Sequence, residues 1–100
     1  MPPYMNQFFT DLGLSWTRAA SARDAAIDPP EVEGEVAFEL LELARVAAHD
    51  HERRFAPLSC YLAGIAAERL RTARPDTTPA DLAAYISEVR QSLESRSAPE

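Results

Sequence analysis

The stretch that decides the fold is VAFELLELARVAAH, residues Val36–His49. Its apolar residues recur at intervals of three and four positions, which is the spacing of one face of an α-helix. Glu35, Glu39 and Glu42 fall on the opposite side. The pattern predicts an amphipathic helix over this stretch, whose apolar row is formed by Val36, Leu40, Leu43 and Ala47.

Two later segments carry the same periodicity. A helix is expected from Pro57 to about Arg74, because proline is tolerated at a first helical position and apolar residues then keep the 3.6-residue spacing. A last helix is expected to begin at Pro79, since Thr78 can cap it and Asp81 follows three residues after the cap. The apolar positions are Leu58, Leu62, Ile65, Ala66 and Leu70 in the first of these helices, and Leu82, Tyr85, Ile86, Val89 and Leu93 in the second.

The first 35 residues have weaker helix signals. Residues from Met5 to Leu12 fit a short helix that stops near Gly13, and Ser15 fits the cap of a second short helix. For the helix that contains Val36, two starts are open. One is a cap at Asp28 followed by two prolines, and the other is a start only after Gly34.

The remaining composition favours helix throughout the chain. Eighteen alanines raise helix propensity, and short alternating runs of β-branched residues are absent from the sequence. At 100 residues the chain has room for one core. We therefore predict an all-α fold, a compact bundle of four to five helices, in a single domain over residues 1–95 with a frayed tail over residues 96–100.

Charge and cysteine content exclude several classes of function. The net charge is −6 and every basic residue is arginine, a balance that disfavours nonspecific nucleic-acid binding. A single cysteine, Cys60, leaves no internal disulfide. No basic segment precedes an apolar stretch at the N-terminus and no apolar run approaches 18 residues, so we expect no signal peptide, no membrane span and a cytoplasmic location.

One basic segment lies between two acidic ones. The charges sum to −7 over residues 1–52, to +4 over 53–75 and to −3 over 76–100. Arg53 and Arg54 precede the helix expected near Pro57, whose free N–H groups, together with the hydroxyl of Ser59, could hold a phosphate or a carboxylate. The alternative, which we favour, is that both arginines face water or pair with acidic residues. The predicted binding residues are His49, Arg53, Arg54, Phe55 and Ser59.

Three further features favour a structural over a chemical role. His49 and His51 are two residues apart, so on a helix they point away from each other and do not form a metal site. Cys60 has apolar neighbours and no catalytic signature, which favours an inert side chain. The small residues Ala63, Gly64, Ala66 and Ala67 fit either a groove for a ligand or partner helix, or tight packing within the domain, and we favour packing. We predict no catalytic residue, no metal and no cofactor.

The segment from Leu40 to Ala67, LLELARVAAHDHERRFAPLSCYLAGIAA, resembles a small, functionally uncharacterised helical domain found beside or fused to molybdopterin-guanine dinucleotide biosynthesis proteins. The resemblance rests on the Leu-Ala-Arg of Leu43–Arg45, on Ala48-His49 and on an arginine at Arg53 or Arg54. It rests also on the Ala-Pro-Leu of Ala56–Leu58 and on the Tyr-Leu-Ala-Gly of Tyr61–Gly64. It implies an association with molybdenum-cofactor maturation, and it carries no catalytic residues.

These observations lead to one main hypothesis and two others. We expect a noncatalytic accessory domain that binds a protein partner, by resemblance a molybdopterin nucleotidyltransferase, and that binds neither nucleic acid nor membrane. The alternative is a small module that binds an anion or a nucleotide at the helix start near Pro57. An enzyme that uses Cys60 or His49 is disfavoured, because no acid and base lie at a suitable spacing.

Overall fold

The computed structural model describes residues 6–97, with side chains up to residue 95. These residues form four α-helices and no strand, which confirms the predicted all-α fold. The helices are α1 (Gln7–Ser21), α2 (Gly34–Asp50), α3 (Phe55–Ala73) and α4 (Pro79–Ser97). In the part of the chain that the structure describes, none of them is long and apolar enough to cross a membrane.

The chain divides into two compact units, Met1–Gly34 and Glu35–Glu100. The predicted domain over residues 1–95 stays a prediction. Of the predicted tail over residues 96–100, the first two residues belong to α4, and residues 98–100 lie outside the described part of the chain.

From residue 6 on, the first unit contains one complete helix where the sequence predicted two. α1 begins after Asn6, whose side-chain oxygen accepts a hydrogen bond from the N–H of Phe9 at 3.2 Å. The helix then continues through Gly13, so the predicted stop there is wrong. Ser15 is not a cap either, because its hydroxyl donates to the carbonyl of Asp11, one turn earlier, at 3.1 Å.

Gly13 is buried because a later segment of the same unit lies against it. A Cβ placed on Gly13 would be 3.0 Å from the carbonyl oxygen of Pro30 and 3.6 Å from the Cβ of Pro29. The glycine therefore permits close approach of the Pro29–Pro30 backbone to α1, a role that outweighs its low helix propensity.

The segment that connects α1 to α2 is not helical at Asp28, so the predicted helix start there is wrong. Residues 25–33 have no regular secondary structure, and α2 begins at Gly34. Asp28 and Pro29 each precede a proline, which biases both residues away from helical backbone angles. The start near Gly34, the other alternative, is the one that the chain adopts.

The second unit is a bundle of α2, α3 and α4. Its buried core comes from α2 and α4 alone, and Val46 is fully buried. α3 contributes no buried residue. The apolar row predicted for α2 is confirmed, although Leu40 is only half-buried. The core residues are Val36, Ala37, Leu43, Val46 and Ala47 of α2 and Leu82 and Ile86 of α4.

Charged side chains join α2 to α4 beside this core. Arg90 of α4 donates to Glu39 of α2 at 3.5 Å, and both side chains are about 15% exposed. Arg90 also pairs with Glu94 at 3.1 Å, and Glu94 accepts from Arg45 of α2 at 3.5 Å. Arg90 and Glu39 thus have charged partners where the packing of the two helices partly removes them from water, although Arg90 Nε is buried without a hydrogen-bond partner among the described residues.

The two remaining helix starts differ in how well the sequence predicted them. α4 begins at Pro79, as predicted, with a reciprocal cap in which Thr78 Oγ1 accepts from the Asp81 N–H at 3.1 Å and Asp81 Oδ2 accepts from the Thr78 N–H at 2.9 Å. α3 begins at Phe55, two residues before the predicted Pro57. Proline fits this position as well, because the first-turn N–H groups have no partner within the helix.

Candidate interaction surface

The corner between α2 and α3 holds four of the five predicted binding residues, and all four are exposed. His49 lies in the last turn of α2, and its Nδ1 is 3.0 Å from Asp50 Oδ1. Arg54 pairs with Glu52 at 2.9 Å, and both side chains face water. Arg53 has no ion pair with any described residue. Phe55, the first residue of α3, is 38% exposed.

Two of the backbone donors at the start of α3 are already used within the preceding turn. The N–H of Phe55 donates to the carbonyl of Glu52 at 2.9 Å, and the N–H of Ala56 donates to the carbonyl of Arg53 at 3.2 Å. Pro57 has no N–H. Binding of an anion at this corner would therefore depend on the guanidinium groups of Arg53 and Arg54.

Ser59 differs from the four corner residues in its surroundings. It is half-buried in an apolar groove between α3 and α4, where Leu62, Ala66, Tyr85 and Val89 also line the surface. The structure thus places Ser59 on a groove, and it leaves His49, Arg53, Arg54 and Phe55 together on the exposed corner.

Metal and thiol chemistry find little support in the geometry. Among residues 6–95, no group of three or more histidine, cysteine, aspartate or glutamate side chains is placed to hold a metal ion. The thiol of Cys60 is half-buried and donates to the carbonyl of Leu40 at 3.6 Å. Burial raises the pKa of the Cys60 thiol, which reduces the fraction of the reactive thiolate.

The sequence predicted inward packing for two sides of α3, the apolar row of Leu58 and Leu62 and the small residues around Ala63, and only the second faces the bundle. Ala63 and Ala66 line the groove with α4, whereas the large residues Leu58, Tyr61 and Leu62 are 63%, 71% and 65% exposed. The signal was present in the composition, because α3 is apolar on more than one side. Helical spacing shows that Leu58 and Leu62 share a face, but it does not show that alanines pack inward instead.

The fold and this surface together define a small helical domain with an exposed basic and aromatic corner. A family model described as a domain of unknown function, DUF6457, matches residues 9–100, and the chain belongs to that family. Comparison with curated proteins gave no match, and comparison with solved structures gave none.

Proposed function

We propose that this domain is a noncatalytic interaction module that binds a protein partner through the corner between α2 and α3. The observation that carries the proposal is the exposure of Arg53, Arg54 and Phe55, which contribute nothing to the buried core. Arginine and aromatic side chains are enriched among residues that dominate binding energy at protein interfaces.

We further propose that the partner is a molybdopterin nucleotidyltransferase. The support is the resemblance of residues 40–67 to a helical domain found beside or fused to such biosynthesis proteins. That segment covers most of α2, the whole corner and the first two thirds of α3. Of the corner residues, His49 and one of the two arginines, Arg53 or Arg54, are among those that carry the resemblance.

The test is co-purification of the tagged domain with a co-expressed nucleotidyltransferase. A double variant, Arg53→Glu with Arg54→Glu, should lower partner recovery at least tenfold, because hot-spot residues each account for about 2 kcal/mol or more of binding. The matched control is Arg71→Glu with Arg74→Glu, which makes the same charge change at the other end of α3. Helix content measured by circular dichroism confirms that both variants fold.

The outcomes separate a specific site from a general charge effect. Loss of recovery in the corner variant alone supports the proposal. Equal loss in both variants shows that total charge controls association, and full recovery of the corner variant removes Arg53 and Arg54 from the interface.

A second candidate function is the binding of a small anion or a nucleotide at the same corner. The observation in its favour is Arg53, which has no ion pair among the described residues and lies next to Arg54. Thermal-shift measurements with GTP and with inorganic phosphate test this candidate. A ligand at 100 times its Kd stabilises the folded state by about 2.7 kcal/mol, so the absence of a shift eliminates that ligand.

A further inference from the structure

The outer side of α3 carries a row of large apolar side chains that the bundle does not use. Leu58, Leu62 and Ile65 follow one another at helical spacing, with Tyr61 beside them. The first two and Tyr61 are more than 60% exposed, and Ile65 is half-buried. We call these four residues the α3 outer row. Exposed side chains that cluster in this way mark a binding surface more often than single exposed apolar residues do.

The outer row continues into the groove between α3 and α4. Leu62 forms one wall of that groove and Val89, 52% exposed, forms part of the other. The small side chains of Ala63 and Ala66 lie between them. A groove with branched side chains on its walls and small side chains at its base has the shape that accepts the apolar side of an amphipathic helix.

Two arginines that have no ion pair with a described residue precede and follow the outer row in the sequence. Arg69 follows Ile65 by one turn on the same side of α3, and Arg53 precedes the helix. Neither forms an ion pair with a described residue, whereas Arg71 is 4.0 Å from Glu68 and Arg74 is 3.9 Å from Asp76. The start of α3 and Arg69 are about 21 Å apart along the helix axis, given 1.5 Å per residue.

This charge distribution favours an acidic partner over a second copy of α3. Residues 53–75 sum to +4, so two α3 helices packed against each other would bring like charges together. Like charges across an interface oppose association, while carboxylates opposite Arg53 and Arg69 favour it.

We propose that the outer row and the adjoining groove bind an amphipathic helix of a partner protein, one whose apolar row is flanked by acidic residues. The proposal rests on the interaction function proposed above and names the chemistry of the partner. Leu58, Tyr61 and Leu62 pack against the apolar row of that helix. Arg53 and Arg69 pair with carboxylates near its two ends.

The experiment measures fluorescence anisotropy of two labelled peptides of about 18 residues, long enough to span the row. Both carry leucine at positions i, i+3, i+4, i+7 and i+11; one has glutamate at the flanking positions and the other has lysine. The acidic peptide should bind with a Kd on the order of 10 μM. Leu62→Glu should weaken it at least tenfold. The matched control is Leu41→Glu, at a residue of α2 that is 53% exposed and outside the row.

Each outcome decides the proposal. Binding of the acidic peptide alone, weakened by Leu62→Glu and by added salt but not by Leu41→Glu, supports it. Equal binding of both peptides, or no binding of the acidic one at 1 mM, overturns it. A dimer in light scattering that Leu62→Glu converts to a monomer of 11.0 kDa identifies a second copy as the occupant and also overturns it.

The peptide result is independent of the identity of the natural partner. If the nucleotidyltransferase is recovered with Leu62→Glu but lost with the Arg53 and Arg54 double variant, the proposed function stands and the helix-binding row is wrong. If the acidic peptide binds as expected but no nucleotidyltransferase is recovered, the row stands and the assigned partner is wrong.

Discussion

Gly13→Ala and Gly64→Ala are the same chemical change in two different surroundings. Both glycines lie inside helices, where alanine is favoured by about 0.8–1 kcal/mol. At Gly64 an added Cβ meets no atom within 4 Å, so we expect the free energy of unfolding to rise by about 1 kcal/mol. At Gly13 the Cβ would be 3.0 Å from the carbonyl oxygen of Pro30. Overpacking costs about 1–3 kcal/mol, which cancels or exceeds the gain.

The assay is urea unfolding followed by two signals. Trp16, the one tryptophan of the chain, lies on α1 and reports the unit that contains Gly13, while circular dichroism at 222 nm reports helix content throughout. Gly64→Ala should also raise Tm by about 4–8 °C, the shift that 1 kcal/mol gives in a domain of this size. Equal stabilisation by the two variants would refute the reasoning, because the Pro29–Pro30 backbone would then not lie against α1 at Gly13.

Three further predictions concern the core, the cap and the thiol. Val46→Ala should cost about 2–3 kcal/mol of unfolding free energy because Val46 is fully buried, whereas Val89→Ala, at a side chain 52% exposed, should cost less than 1 kcal/mol in the same urea titration. The pKa of Asp81 is lowered mainly by the hydrogen bond that its carboxylate accepts from the Thr78 backbone. The wild type should therefore be more stable than Asp81→Ala above the ordinary aspartate pKa of about 3.9. This advantage should disappear as the pH falls through the lowered pKa. A difference in unfolding free energy that stays constant between about pH 7 and pH 2 would contradict the cap formed by Asp81. Burial raises the pKa of Cys60, so at pH 8 a disulfide reagent should modify it more slowly in the native protein than in urea, and equal rates would show that the thiol is open.

The features that the sequence predicted well are those that depend on neighbouring residues. Thr78, Pro79 and Asp81 specify the start of α4 within four positions, and the structure forms the expected reciprocal cap. The apolar row of α2 is equally local, since its period is visible within one helix. Such signals need no knowledge of what packs against the helix.

The features that the sequence missed depend on contacts between distant residues. Gly13 is a helix breaker by propensity, yet it lies within α1 because residues seventeen positions later approach it. The inner side of α3 is a second case. Alanine and leucine are both apolar, so periodicity alone did not show that Ala63 and Ala66 face α4 while Leu62 is largely exposed.

The binding residues were predicted from charge and position, and the structure places four of them on an exposed corner and Ser59 in a groove. Exposure of Arg53 and Arg54 followed from their place between two helices, and the structure confirms that exposure. Among the supposed backbone donors at the start of α3, the N–H groups of Phe55 and Ala56 are already bonded within the turn, and Pro57 has no N–H.

The stability of the fold and the character of its surface are separable in this domain. The second unit is held by a core from α2 and α4, by the ion pairs around Arg90 and by the cap at Thr78. The large apolar side chains of α3 add little to that core, since burial stabilises in proportion to the apolar area removed from water and Leu58 and Tyr61 remain mostly in water. Their exposure lowers solubility and does not stabilise the fold. A partner that covers them would recover that apolar burial, which is the physical reason to expect an interface on this side of α3.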